Sequence, residues 1–143
     1  MKSFEESAAF GLPYERLIAQ TAALLLYPNR PDYTLVRLDE YSPLDYYLVD
    51  GAEPIAAIEV KRRTVRSDTY PTTIIPQTVV DAAQRLSFPT FAAILFTDGL
   101  YVFDVLRTPS TVCLIRTRNG TLREHREYSI TNVLRVDAAR LSG

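Results

Sequence analysis

The spacing of apolar and polar positions divides the chain into a short series of elements. Over residues 14–27 (YERLIAQTAALLLY), Leu17, Ile18, Thr21, Leu24, Leu25 and Tyr27 fall near the i, i+3, i+4, i+7 repeat with alanine between them. That pattern predicts an amphipathic to largely buried helix. Pro28 and Pro31, flanking Asn29-Arg30, end it, because proline lacks an amide donor and restricts the residue before it. Residues 33–38 and 44–49 are β-rich and separated by a polar break over 39–43. Asp50-Gly51 is a turn dipeptide, and residues 55–61 answer across it as the second arm of a hairpin. Residues 55–58 are apolar on both faces, as in a central strand covered on both sides, and charge appears only as that strand ends.

Residues 62–75 (RRTVRSDTYPTTII) are polar, basic and interrupted by proline, which predicts an irregular connection rather than a core element. Residues 77–86 return to helical spacing through Val80, Ala83 and Leu86, and here the chain crosses the sheet. Residues 91–96 are a buried strand that turns at Asp98-Gly99 into 100–106, and 111–118 and 121–128 form a second hairpin about Asn119-Gly120. The predicted order is helix, three strands, helix, strand, then further antiparallel strands, with the tail unassigned. There are no internal repeats or low-complexity linkers. At 143 residues, 47% of them apolar, the whole of 1–143 is expected to form a single domain.

Charge narrows the function classes. The formal net charge is −1, so any nucleic-acid contact must be local. Residues 1–60 carry ten acids against four bases, and residues 61–143 seven acids against twelve bases. Cys113 and His125 are the only residues of their kinds, which excludes a disulfide framework and a Cys/His zinc cage and leaves no obvious Cys/His or Ser/His catalytic pair. Cys113 reads as a small buried hydrophobe and His125 as an exposed strand residue. No stretch approaches the length of a membrane span, and the first ten residues include two acids. An intracellular, cytoplasmic setting with no membrane partner is the expectation.

Asp45 lies one residue into its strand, while Glu59 and Lys61 stand two apart at the end of the next, so the period-two alternation puts Glu59 and Lys61 on one sheet face. The turn between the strands brings Asp45 beside them. Two converging carboxylates repel unless a divalent cation sits between them, and hard cations such as Mg²⁺ or Mn²⁺ prefer such oxygen ligands and leave room for phosphate. Lys61 then has a role, because its compact ammonium can orient a water or stabilise charge building on phosphoryl oxygens. Fourteen of the sixteen basic residues are arginine, and only Lys2 and Lys61 are lysine. Taken singly, these features have ordinary explanations: charges at a strand end are most often solvated, and Glu15 near a helix start suits the macrodipole.

Together, Ser42-Pro43-Leu44-Asp45, a hairpin, and Ile58-Glu59-Val60-Lys61 resemble the signature of the PD-(D/E)XK nucleases, with Pro43 one position away from its usual place beside the aspartate. Upstream, Gly11-Leu12-Pro13-Tyr14-Glu15-Arg16-Leu17 resembles the opening helix of archaeal-type Holliday junction resolvases and related small nucleases, which implies that Glu15 completes the metal site. Gln77 is similar in placement to polar residues that many members aim at the metal or the scissile phosphate. The resemblance covers about residues 11–86. It implies an α/β (α+β) fold with a restriction-endonuclease-like core, a mixed central β-sheet flanked by helices, to which this chain adds C-terminal antiparallel strands.

The activity it implies is that of a Mg²⁺- or Mn²⁺-dependent DNA endonuclease, resolvase-like and structure-selective. Its metal ligands would be Glu15, Asp45 and Glu59, with Asp45, Glu59, Lys61 and Gln77 as the catalytic set. Arg62, Arg63 and Arg66, directly after the site, are placed to meet the phosphates of DNA, and further arginines at 107, 116, 118, 123 and 126 would either join them or form the wet face of a ribbon. A homodimer is implied by analogy. The alternative is a non-catalytic PD-(D/E)XK-fold subunit serving nucleic-acid binding or assembly, which the near-neutral charge favours. A third possibility is a nuclease that cuts only within a larger protein assembly.

Overall fold

The structure, a computed structural model, describes residues 4–30, 32–130 and 134–137. It opens with helix α1 (Phe4–Leu26), which starts well before the predicted residue 14 and runs through Gly11 and Pro13. Ile18, Ala19, Ala22 and Ala23 form its buried face, whereas Leu17 and Leu24, which the repeat assigned to that face, are exposed.

Then come β1 (Tyr33–Arg37), β2 (Tyr46–Asp50), β3 (Glu53–Arg62), β4 (Thr72–Pro76), α2 (Gln77–Gln84), β5 (Thr90–Phe96), β6 (Gly99–Asp104), β7 (Ser110–Arg116), β8 (Leu122–Ser129) and β9 (Leu134–Asp137). Gly51 supplies the positive φ of 65° that the β2–β3 turn requires. Six strands form the main sheet in the order β1-β2-β3-β5-β6-β9. Every neighbouring pair is antiparallel except β3 and β5, which run parallel with Glu59 opposite Ala92 and Lys61 opposite Ile94. Parallel neighbours need a long crossover, which β4 and α2 provide. The architecture is thus a mixed α/β fold, a central mixed sheet flanked by helices with extra antiparallel strands toward the C-terminus, as the resemblance implied.

The sheet separates two apolar layers. On one face α1 packs Ile18, Ala22 and Ala23 against Leu35, Tyr46, Leu48, Ile58 and Val60. On the other, α2 packs Val79, Val80 and Ala83 against Ala57, Ala92, Ile94 and Phe96. Alanines at 56, 57, 92 and 93 are buried in the two central strands, and their small side chains let both helices approach the backbone closely.

Two elements depart from the expectation. Residues 72–76 are a strand, not an irregular connection: β4 pairs with β8 and, through it, with β7 in a separate three-stranded sheet. Ile75 is fully buried there, and non-local pairing with β8 overrides the polar, proline-rich local composition. The unassigned tail contributes β9, which closes the edge of the main sheet against β6. Among the described residues, no helix is long and apolar enough to cross a membrane.

Candidate active site

Register places the site. Ile58 and Val60 belong to the layer under α1, so Glu59 and Lys61 between and beyond them project from the opposite face, the one α2 covers. Asp45 stands immediately before β2, where Tyr46 pairs with Ile58. Its carboxylate Oδ2 accepts the Val60 amide N–H at 2.8 Å, and its carbonyl accepts the Leu38 N–H at 2.8 Å. The aspartate is therefore locked to the backbone beside Glu59.

Glu59 is buried, at 5% exposure, within the run Ala56–Val60 of a central strand whose other members are apolar. Burial pushes its pKa up to about 9, and the Asp45 carboxylate adds to the rise both through its charge and through a hydrogen bond between the two side chains. Lys61 pulls the other way, with Nζ 3.7 Å from Glu59 Oε1, but does not offset the burial. Glu59 Oε2 is enclosed and has no hydrogen-bond partner. In apolar surroundings such an oxygen is costly to leave unsatisfied.

Gln77 begins α2, which packs on the face that carries Glu59. Its Nε2 donates to Asp81 Oδ1 at 3.0 Å, and its Oε1 is buried without a partner. Glu15 is placed differently from the expectation of a third ligand: its Oε2 accepts from Arg37 Nη1 at 3.2 Å, and Arg37 also donates to the Tyr46 hydroxyl at 3.3 Å. Tyr46 belongs to the α1 layer, so this group lies across the sheet from Glu59. Among the described residues, no three His, Cys, Asp or Glu side chains gather closely enough to hold a metal ion.

The three arginines after the site are sorted by the same alternation. The Arg62 guanidinium lies 4.5 Å from the centre of the Tyr14 ring, beside α1. Arg63 continues the Glu59–Lys61 row, and its amide still donates to the Leu95 carbonyl at 2.8 Å. Arg66 is held by Asp68 at 3.2 Å and Asp98 at 4.0 Å. Sequence reasoning grouped all three as DNA contacts, although the two-residue period already visible in Glu59 and Lys61 was enough to single out Arg63.

The pair of carboxylates fits a hard divalent cation on this chemistry. Mg²⁺ takes one or two carboxylates and completes its shell with water and phosphate, so Asp45 and Glu59 suffice without a third acid. An enclosed carboxylate oxygen without a partner is the donor such an ion would satisfy.

No family profile and no curated protein matches the chain. Among solved structures, it is similar to Hjc, a Holliday junction resolvase from the archaeal hyperthermophile Archaeoglobus fulgidus, at 15% identity and a TM-score of 0.49, over 91% of this chain and 96% of that one.

Proposed function

We propose that the chain is a divalent-cation-dependent phosphodiesterase acting on DNA, an endonuclease with Asp45 and Glu59 as metal ligands and Lys61 as the charge-stabilising group. The observation that carries this reading is Glu59: a buried carboxylate pushed to about 9, against Asp45 and within 3.7 Å of Lys61, with one oxygen unsatisfied. A core glutamate at that position has no structural use that an apolar residue would not serve better.

Asp45, fixed by the Val60 amide, and Glu59, fixed in the middle of the sheet, would hold Mg²⁺ or Mn²⁺, which supplies Lewis acidity and a water of lowered pKa when bound. To serve as a ligand, Glu59 would have to be ionised. The Lys61 ammonium, on the same face, neutralises charge that builds on the non-bridging phosphate oxygens. Gln77 offers Oε1 on that side as an acceptor for a water or a hydroxyl proton. The roles of the phosphate contacts fall to Arg63 first, since Arg66 already has carboxylate partners.

Purified protein is expected to nick branched or duplex DNA in Mg²⁺ or Mn²⁺. Lys61→Ala abolishes cutting while DNA binding persists, and Asp45→Asn removes the Mg²⁺-dependent rise in melting temperature. Cutting by Lys61→Ala at the wild-type rate would overturn the assignment. The pairing of Glu15 with Arg37 supports the second reading, a non-catalytic binding or assembly subunit. Wild-type protein that neither cuts nor shifts its melting with Mg²⁺ would establish that reading instead, and sedimentation of the same sample reads whether it is a homodimer.

A further inference from the structure

The row of side chains does not end at Lys61. Arg63, the residue directly after β3, still pairs its amide with Leu95 and extends the same row, roughly 7 Å further along at the strand repeat. Its guanidinium is partly buried, donates from Nη2 to the Ile74 carbonyl at 3.5 Å, and meets no carboxylate among the described residues. Burial lowers its pKa, the response of a cation withdrawn from water without an anion to balance it.

Beside Arg63 a cavity of about 520 Å³ opens between the end of β3, β4 and β7. Val65, Ile74, Phe96 and Ile115 give it apolar walls, and Tyr70 stands exposed among its lining residues. The loop that carries Val65 and Tyr70 is clasped from behind: the Ser67 amide and hydroxyl donate to Asp98 at 2.7 and 2.6 Å, and the Tyr101 hydroxyl donates to Ser67 Oγ at 2.7 Å. These hydrogen bonds fix the loop that lines the concavity.

We propose that this cavity receives one unpaired, unstacked nucleotide of the DNA substrate, with its base against Val65, Ile74 and Ile115, Tyr70 as a stacking surface, and its phosphate on Arg63. The proposal rests on the phosphodiesterase reading of the Asp45–Glu59–Lys61 site and deepens it. A flat apolar base with an anion attached matches an apolar hollow with a single unbalanced cation beside it. Arg63, two residues past Lys61 and directly after β3, joins the hollow to the site, so the nucleotide beside the scissile phosphate is the part of the substrate within reach. A base stacked in a continuous duplex cannot enter. The site therefore favours DNA that presents a flap, gap or branch.

The test runs first in EDTA, where binding is measured without cutting, comparing a blunt duplex with the same duplex bearing a single-stranded flap that contains 2-aminopurine. Wild-type protein is expected to prefer the flap and to change the 2-aminopurine fluorescence. Tyr70→Ala should reduce the preference about tenfold, the scale of one lost base–aromatic stack. Ile115→Trp, which fills the hollow, and Arg63→Gln, which removes the cation, should bring the flap-to-duplex ratio near one. Equal affinity of the wild type for both DNAs, or a preference undiminished in Ile115→Trp or Arg63→Gln, overturns the proposal. Adding Mg²⁺ separates the two readings. Cutting without a flap preference removes the nucleotide hollow alone, and a flap preference without cutting removes the phosphodiesterase alone.

Discussion

At the scale of the residue, Glu59 sets the behaviour of the site before any ligand arrives. Its pKa is about 9 in the folded chain against an ordinary value of 4.5, so between those two values the folded state holds a proton that the unfolded state has released. Stability therefore declines as pH rises through that window, and the slope vanishes below it, where both states are protonated, and above it, where both are ionised. Urea unfolding in EDTA should show wild-type stability falling between about pH 5 and 8, with Glu59→Gln losing most of the fall and unfolding at higher urea near pH 8. An unchanged slope in the glutamine variant would locate the bound proton elsewhere. If Glu59 holds Mg²⁺ as proposed, binding would expel the same proton, so calorimetry at neutral pH in two buffers of different ionisation enthalpy is expected to detect proton release, and to lose it in Glu59→Gln.

At the scale of the element, Asp45 ties the entry of β2 to the middle of β3 by accepting the Val60 amide. Asp45→Ala leaves that buried donor unmatched and should cost about 1–3 kcal/mol, whereas Asp45→Asn keeps an acceptor and should cost less, a difference that chemical denaturation resolves. The clasp of Ser67 on Asp98 predicts that Asp98→Ala loosens residues 64–71, seen as faster proteolysis there while the main sheet stays protected. These elements also mark the reach of the sequence. The hairpins about Asp50-Gly51, Asp98-Gly99 and Asn119-Gly120, the crossover helix and the shared face of Glu59 and Lys61 were legible because each depends on local turn chemistry or a short repeat. β4 and β9 were not, since both are made by partners distant in the chain, β8 and β6. The start of α1 lies upstream of the 14–27 repeat, which alone placed that helix. The partner of Glu15, Arg37, lies on a strand whose position no spacing reveals.

At the scale of the whole molecule, a net charge of −1 means that the DNA binding proposed above would rest on a few arginines rather than on a general field. Arg63→Gln should lower the slope of log affinity against log salt by about one unit, and Arg66→Gln by less, because Asp68 and Asp98 already compete for that guanidinium. Equal slopes for the two variants would count against this ranking of the contacts. The one parallel joint, between β3 and β5, has a wider consequence. It is the seam where an acidic first portion of the chain, carrying α1 and the first three strands, meets a basic second portion carrying the remainder. A polypeptide nicked between β3 and β4 should accordingly stay associated, its two fragments zipped along that seam. Asp45, Glu59 and Lys61 would all travel on the first fragment, and the helix that covers them would be delivered by the second.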